Sequence, residues 1–113
     1  MQASRLRVYV AGPYSNGDPQ LNTDRAIDVG DAITDMGADP FIPHLSHYRH
    51  IRRPRQYEHW IEEDLRWLAM CHALYRMEGA SRGADGEVAE AQRLGIPVFY
   101  EMPELRKWVS NRD

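Results

Sequence analysis

The chain has 113 residues, enough for one compact domain and too few for two. Its composition, 42% hydrophobic and 27% charged with a net charge of −3, excludes intrinsic disorder and argues against a nucleic-acid coat or a membrane-surface protein. A single cysteine, Cys71, excludes an internal disulfide and a multi-cysteine zinc site. No apolar run approaches the roughly 20 residues of a membrane span, and the N-terminus shows no signal-peptide pattern. We therefore expect a cytoplasmic domain that binds neither a nucleic-acid polymer nor a membrane.

Predicted strands and helices alternate along the chain. Apolar, β-branched runs that stop at glycine or proline predict strands over residues 6–11, 41–43, 73–77 and 96–100. Apolar residues at helical spacing predict helices over residues 22–36, 57–70, 85–94 and 103–110. The first helix has Asn22 or Thr23 as its expected N-cap and Gly37 as its C-cap. Residues 44–56 have no clear period and are predicted to form a loop.

This alternation predicts an α/β fold. We expect one domain over residues 1–113, with a flavodoxin/Rossmann-like parallel sheet of four to five strands and helices on both faces. In such sheets the ligand lies beyond the carboxyl ends of the strands, so the loops of interest are 12–21, 43–56 and 78–84. The fold by itself does not identify the chemistry.

Two carboxylates interrupt apolar helix stripes that should face the sheet. Asp64 shares a stripe with Ile61 and Leu68, and Glu87 shares one with Ala84. Burying an unpaired carboxylate lowers the stability of the fold by about 2 kcal/mol or more, so each residue needs either a charged or hydrogen-bonding partner or access to a cleft. The simpler alternatives for Asp64 are a position at the helix edge that reaches solvent or an ion pair with a nearby arginine. For Glu87 the simpler alternative is ordinary helix N-terminal charge.

The loop over residues 79–84 joins a predicted strand to the helix that carries Glu87. Its small residues allow a close approach by a ligand, and free N–H groups at a helix start suit a phosphate or carboxylate. Ser81 adds a hydroxyl donor, although it could equally serve only as the N-cap. The loop matches neither the GxxxxGK[ST] nor the GxGxxG phosphate-binding motif.

Three histidines follow the second strand at intervals of three residues: His44, His47 and His50. Four arginines surround them and no acidic residue lies between them, so we expect no metal here and favour contact with an anionic or aromatic substrate. Tyr9 faces the opposite side of its strand from Val8 and Val10, which core packing alone would explain. Trp60 and Trp67 are expected in the core or an interface.

Four segments taken in order resemble the nucleoside 2-deoxyribosyltransferase superfamily, which includes the 2'-deoxynucleoside 5'-phosphate N-hydrolases and the hydroxymethyl-CMP hydrolases. They are residues 9–15, 43–44, 63–68 and 81–87. A small phage and bacterial branch of uncharacterised domains has the same pattern around residues 81–87 and 95–98. The resemblance extends from about Arg7 to Tyr100.

The resemblance implies a role for each matching residue. Glu87 would be the nucleophile that attacks the sugar, Asp64 the carboxyl group that assists departure of the base, and Tyr9 the hydroxyl that hydrogen-bonds the nucleophile. His44 would lie near the base, while Ser81 and the backbone of Gly83 would hold a 5'-phosphate. The first loop, with Gly12, Pro13, Tyr14 and Ser15, would also bind substrate. It departs from the hydrolases, which have serine where Pro13 stands.

We therefore expect an N-glycosidase that acts on a nucleoside 5'-monophosphate or nucleoside without a cofactor or metal. The alternatives are base exchange by a deoxyribosyltransferase, a nucleotide-sensing module without catalysis, and a metal-dependent hydrolase built on the histidines. A homodimer or higher homo-oligomer is also expected. Trp60 and Trp67 lie a heptad apart on one helix while Leu68 lies about 100° further round, which indicates a second apolar stripe.

Overall fold

Four parallel strands form one sheet in the order β2-β1-β3-β4 in the computed structural model, which describes residues 5–112. The strands are β1 (Arg7–Ala11), β2 (Asp39–Phe41), β3 (Ala73–Arg76) and β4 (Val98–Phe99). The central strand β1 pairs with both β2 and β3, so that Val8 lies opposite Pro40 on one side and Ala73 on the other. The chain reverses its direction of winding between β1 and β3. The carboxyl ends of these two strands therefore border the crevice where open α/β sheets bind ligands.

Helices cover both faces of the sheet. They are α1 (Pro19–Asp35), α2 (Ser46–Arg52), α3 (Tyr57–Leu68), α4 (Arg82–Arg93) and α5 (Met102–Ser110), and a 3-10 turn spans Pro43–Leu45. Core residues of α1 and α5 pack with Val8 and Val10 on one face, whereas those of α3 and α4 pack with Tyr9 on the other. The predicted flavodoxin/Rossmann-like α/β fold is confirmed. Within residues 5–112, no helix has the length and apolar character that crossing a membrane requires.

The predicted loop over residues 44–56 is wrong for residues 44–52. A 3-10 turn begins at Pro43 and continues into α2, which ends at Arg52. The apolar residues of this segment, Leu45, Tyr48 and Ile51, are exposed. Helix α2 has only 7 residues, too few for a helical period to show in the sequence.

The predicted caps and boundaries also need correction. Helix α1 begins at Pro19, with the Asp18 side chain accepting hydrogen bonds from the backbone N–H groups of Gln20 and Leu21. Asn22 and Thr23, the predicted caps, lie buried inside the helix. Helix α4 begins at Arg82 instead of residue 85, α3 ends at Leu68 instead of residue 70, and β2 and β4 are shifted or shortened. Gly37 follows α1 with a φ of +99°, as its predicted role at the helix end requires.

Candidate active site

Tyr9 and Glu87 form the centre of the site. Tyr9 lies in the middle of β1, is fully buried and faces α3 and α4. Glu87 shares the buried stripe of α4 with Ala84 and Ala91, and only 8% of it is exposed. The Tyr9 hydroxyl donates a hydrogen bond to Oε2 of Glu87. The carboxylate predicted from an interrupted apolar stripe is therefore buried and held by a residue of the neighbouring strand.

Asp64 brings a second carboxyl group to the same place. It lies on α3, which packs against α4, and only 9% of it is exposed. Its Oδ1 is enclosed and has no hydrogen-bond partner among residues 5–112. The simpler explanations do not hold, because Asp64 is buried and none of the ion pairs among residues 5–112 includes it. Arg49 pairs with Glu63, although its charge lowers the pKa of Asp64. Asp64 and Glu87 line one cavity of about 590 Å³.

The two carboxyl groups have unusual proton affinities. Burial raises the pKa of Glu87 to about 7, while the Tyr9 hydrogen bond and the charge of Arg76 act in the opposite direction. Burial, together with the negative charges of Glu87 and Glu63, raises the pKa of Asp64 to about 8. Each carboxyl group therefore holds a proton more tightly than an ordinary carboxyl group does. Two interacting carboxyl groups titrate as a pair, and when the pair holds one proton it offers one carboxylate and one carboxylic acid.

Tyr9 stays protonated beside them. Burial, followed by the charges of Glu87 and Asp64, raises the pKa of its hydroxyl well above the ordinary value. The hydroxyl therefore remains a hydrogen-bond donor to Glu87 throughout the physiological range.

The first loop and the start of α4 form two walls of the cavity. Six of the residues predicted to bind substrate line it: Gly12, Tyr14, Ser15, His44, Ser81 and Gly83. Pro13 is not part of the lining, but its carbonyl oxygen accepts a hydrogen bond from Nε2 of His44 at 2.9 Å. The structure therefore brings Tyr9, Asp64, Glu87 and these six residues together. Pro13 lies outside the lining and contacts it through His44.

His44 is a neutral donor in this arrangement. It is buried, and burial lowers its pKa, although the carbonyl groups of Pro13 and Gly12 oppose this effect. Because Nε2 donates to a carbonyl oxygen, Nδ1 of the neutral ring carries a lone pair. That atom is enclosed and has no partner among the described residues. In this geometry His44 anchors the first loop at the cavity wall.

Ser81 serves as the N-cap of α4, as one of the two sequence interpretations held. Its Oγ accepts a hydrogen bond from the N–H of Ala84 at 3.0 Å, and its hydroxyl hydrogen remains to be donated elsewhere. Arg82 lies beside it on the cavity wall. A Cβ atom added to Gly83 would lie 3.2 Å from the hydroxyl of Tyr57, so glycine leaves room at this end of the cavity.

Helix α2 and Trp60 form another wall of the cavity. The sequence favoured substrate contact for the histidines of this segment, but it predicted neither the helix nor the position of Trp60. Nδ1 of His50 accepts hydrogen bonds from Nε1 of Trp60 at 2.9 Å and from the backbone N–H of Arg55 at 3.3 Å. Its neutral ring therefore carries the hydrogen on Nε2. His47 hydrogen-bonds the Tyr14 hydroxyl through Nδ1 at 2.6 Å. All of these residues line the cavity.

The prediction that the two tryptophans lie in the core or an interface is corrected for Trp60, whereas for Trp67 the interface stays a prediction. Trp60 is partly buried on the cavity wall, with the guanidinium of Arg49 4.9 Å from its ring centre. Trp67 is half exposed and stacks on Phe41 of β2. The available signal was spacing, because Trp60 precedes Asp64 by four residues and so shares its helix face.

The histidines do not converge on a point where a metal would bind. Among residues 5–112, no three His, Cys, Asp or Glu side chains form a cluster that could hold a metal ion. One ring nitrogen of each of the three histidines already makes a hydrogen bond to another side chain or to the backbone.

The fold and the site define a Rossmann-like α/β domain with two buried carboxyl groups beyond the carboxyl end of its central strand. The chain belongs to the family described as Domain of unknown function (DUF7768), which matches residues 6–101. No curated protein sequence matches it. Among solved structures, its fold is similar to that of a 2-deoxyribosyltransferase from Bacillus psychrosaccharolyticus, described as a biocatalyst for nucleoside synthesis. The TM-score is 0.54 at 20% identity, over 81% of this chain and 69% of the other.

Proposed function

We propose that this protein cleaves the N-glycosidic bond of a nucleoside 5'-monophosphate, or of a nucleoside, through a glycosyl ester of Glu87. The observation that carries the proposal is the pair of buried carboxyl groups in one cavity, each with a raised pKa, because a pair that holds one proton provides both a carboxylate and a carboxylic acid. Glycosidic cleavage in two steps needs these two groups. The likeness in fold to a 2-deoxyribosyltransferase supports the same class of chemistry.

In the first step, the Glu87 carboxylate attacks the anomeric carbon of the sugar. An oxygen–carbon bond forms as the carbon–nitrogen bond to the base breaks, and the electron pair of that bond goes to the base nitrogen. The proton of Asp64 follows it, so the base leaves neutral. The Tyr9 hydroxyl, which hydrogen-bonds Oε2, orients the nucleophile. A nucleophile held in this way needs little reorganisation at the moment of attack.

In the second step, water attacks the same carbon and releases the sugar. The ester bond breaks, its electron pair returns to Glu87, and Asp64, now ionised, takes the proton of the water. If a second nucleobase replaces water, the same two carboxyl groups perform base exchange. We keep base exchange as the second candidate because the fold neighbour is a transferase.

The start of α4 is the proposed site for a 5'-phosphate. The Ser81 hydroxyl, the side chain of Arg82 and the free N–H groups of the first helical turn all lie at this end of the cavity. Together they provide the donors and the positive partial charge that a phosphate requires.

The experiment is incubation of the purified protein with a panel of ribo- and deoxyribonucleosides and their 5'-monophosphates, with free base followed by chromatography. We expect base release from at least one monophosphate, unchanged after exhaustive chelation of metals. Adding a second free base separates the two candidates, because only the transferase produces a new nucleoside. Binding of a nucleotide without release of base would instead show a sensing module.

A further inference from the structure

Arg76 is a buried cation behind the site that the sequence pattern did not indicate. It is the last residue of β3, and strand pairing places it beside Ala11 of β1. Since paired residues of parallel strands share a face, its side chain lies on the same side of the sheet as those of Ala11 and Tyr9. Only 10% of the side chain is exposed.

Hydrogen bonds from the guanidinium group of Arg76 link the end of β3 to the loop that follows it and to the start of α4. The group donates hydrogen bonds to the carbonyl oxygens of Met77 and Gly79 and to Oδ1 of Asp85, the last two at 2.9 and 3.0 Å. Asp85 lies in the first turn of α4, two residues before Glu87. A single side chain therefore ties the end of a strand to the loop and to the helix that carries the nucleophile.

The charge of Arg76 is incompletely neutralised by its partner. The Asp85 side chain is 72% exposed, so water screens much of its attraction for the guanidinium. An arginine does not lose its proton in a protein, and a buried charge is stabilised by an opposite charge nearby. Glu87 is a buried acidic group on the same side of the sheet, and the charge of Arg76 lowers its pKa against the effect of burial.

We propose that Arg76 is a positioning residue for Glu87, which fixes the start of α4 and favours the charged form of the Glu87 carboxylate. The other groups that face Glu87 are the Tyr9 hydroxyl from β1 and the Asp64 carboxyl group from α3, while β4 offers only Val98 and Phe99. Arg76 is the cation whose charge lowers the pKa of Glu87. Arg55 and Arg82 line the cavity together with Glu87, and Glu78 and Glu101 line a second cavity together with Arg76. The effect of Arg76 on the reaction rate rests on the proposed function, whereas its effect on the ionisation of Glu87 does not.

The test is a direct titration of Glu87. Glutamate labelled with 13C at the side-chain carboxyl group is incorporated, and the Glu87 signal is identified by its loss in Glu87→Gln. In Arg76→Met the midpoint should rise by about one pH unit, since an opposite charge close by contributes a shift of about that size or more. Arg76→Lys keeps the charge and should titrate close to the parent protein.

Asp85→Asn is the matched variant with the opposite expected sign. Without the Asp85 carboxylate, the full charge of Arg76 acts on Glu87, so the midpoint should fall. A purely structural role would loosen the same loop in both variants and move both midpoints in one direction. If Arg76→Met does not fold, Arg76→Gln, which removes the charge but keeps hydrogen-bond donors for the loop carbonyl groups, is titrated in its place with the same expected rise and the same criteria.

A midpoint unchanged in folded Arg76→Met, or shifts of the same sign in Arg76→Met and Asp85→Asn, would overturn the proposal. The titration uses no substrate. Opposite shifts in a protein that releases no base would therefore support the role of Arg76 and contradict only the proposed function. In an active enzyme, the acid limb of kcat/KM should move by the same amount as the titration midpoint.

Discussion

The two faces of the sheet differ in chemistry although the same strands form both. On the face covered by α1 and α5, Val8 and Val10 belong to a cluster of apolar core residues that includes Ile33 and Leu105. On the face covered by α3 and α4, Tyr9 of the same strand contacts Glu87, and Asp64 and Arg76 are buried nearby. Successive side chains of β1 point to opposite faces of the sheet. One face therefore contributes an apolar core, whereas the other also holds buried charged groups, which burial alone would disfavour.

The largest effect expected from this contrast is on catalysis. Glu87→Gln should lower kcat by about a thousandfold or more, as removal of a nucleophile does, while the fold is retained. The matched control is Glu90→Gln on the same helix, since Glu90 pairs with Arg93 at the surface. Steady-state rates on the best substrate and circular dichroism measure both. Near-parental turnover in Glu87→Gln would remove it as the nucleophile.

A substitution on the opposite face should have the converse effect. Leu105→Ala removes a fully buried side chain of α5 and should cost about 2–5 kcal/mol of unfolding free energy, because it leaves a cavity. At temperatures where the variant remains folded, kcat should change little. Denaturant titration and rates at low temperature provide the comparison. A large loss of kcat with little loss of stability would show that the two faces are coupled.

The charged face should also control how stability depends on pH. The pKa values of Glu87 and Asp64, about 7 and about 8, are raised in the folded protein above their ordinary values of 4.5 and 3.8. The folded state therefore binds protons more tightly, and unfolding free energy should fall as pH rises from about 4 to about 8. Denaturant titrations across this range should show a shallower decline in Glu87→Gln and Asp64→Asn. An equally steep decline in both variants would contradict the assigned pKa shifts.

A smaller effect is expected at the phosphate end. Monophosphates should have higher kcat/KM than nucleosides, and Ser81→Ala should reduce this preference by about 10- to 150-fold, because a charge-assisted hydrogen bond contributes about 1.5–3 kcal/mol. Ser81→Thr keeps both the hydroxyl and the cap and should restore the preference. If the ratio between monophosphate and nucleoside is the same in all three proteins, Ser81 does not bind phosphate.

The last and smallest expected effect concerns association of two copies of the chain. Trp67 and Met70, at the end of α3, are exposed, so we still predict a homodimer formed through this surface. Trp60, first predicted to share that surface, lies instead on the cavity wall. Light scattering at micromolar concentration should give twice the mass of one chain, and Trp67→Glu should reduce it to one. A fully active single chain would contradict this prediction.

The sequence predicted those features that depend on residues close together along the chain. The order of strands and helices follows from periodicity, and Asp64 and Glu87 were found because a carboxylate interrupts an apolar stripe. Helix α2 was missed because its 7 residues are too few for a helical period to show. Arg76 was missed because its partners, two loop carbonyl groups and Asp85, are identified only by the folded loop.

The central claim, a covalent bond between substrate and Glu87, is tested most directly by trapping the glycosyl ester. A nucleoside 5'-monophosphate with fluorine at C2' slows release of the sugar, and the quenched reaction is analysed by mass spectrometry. We predict that the chain gains the mass of the fluorinated sugar phosphate on the α4 peptide that contains Glu87, and that Glu87→Gln gains none. Release of base with no adduct, or an adduct that persists in Glu87→Gln, would contradict the account.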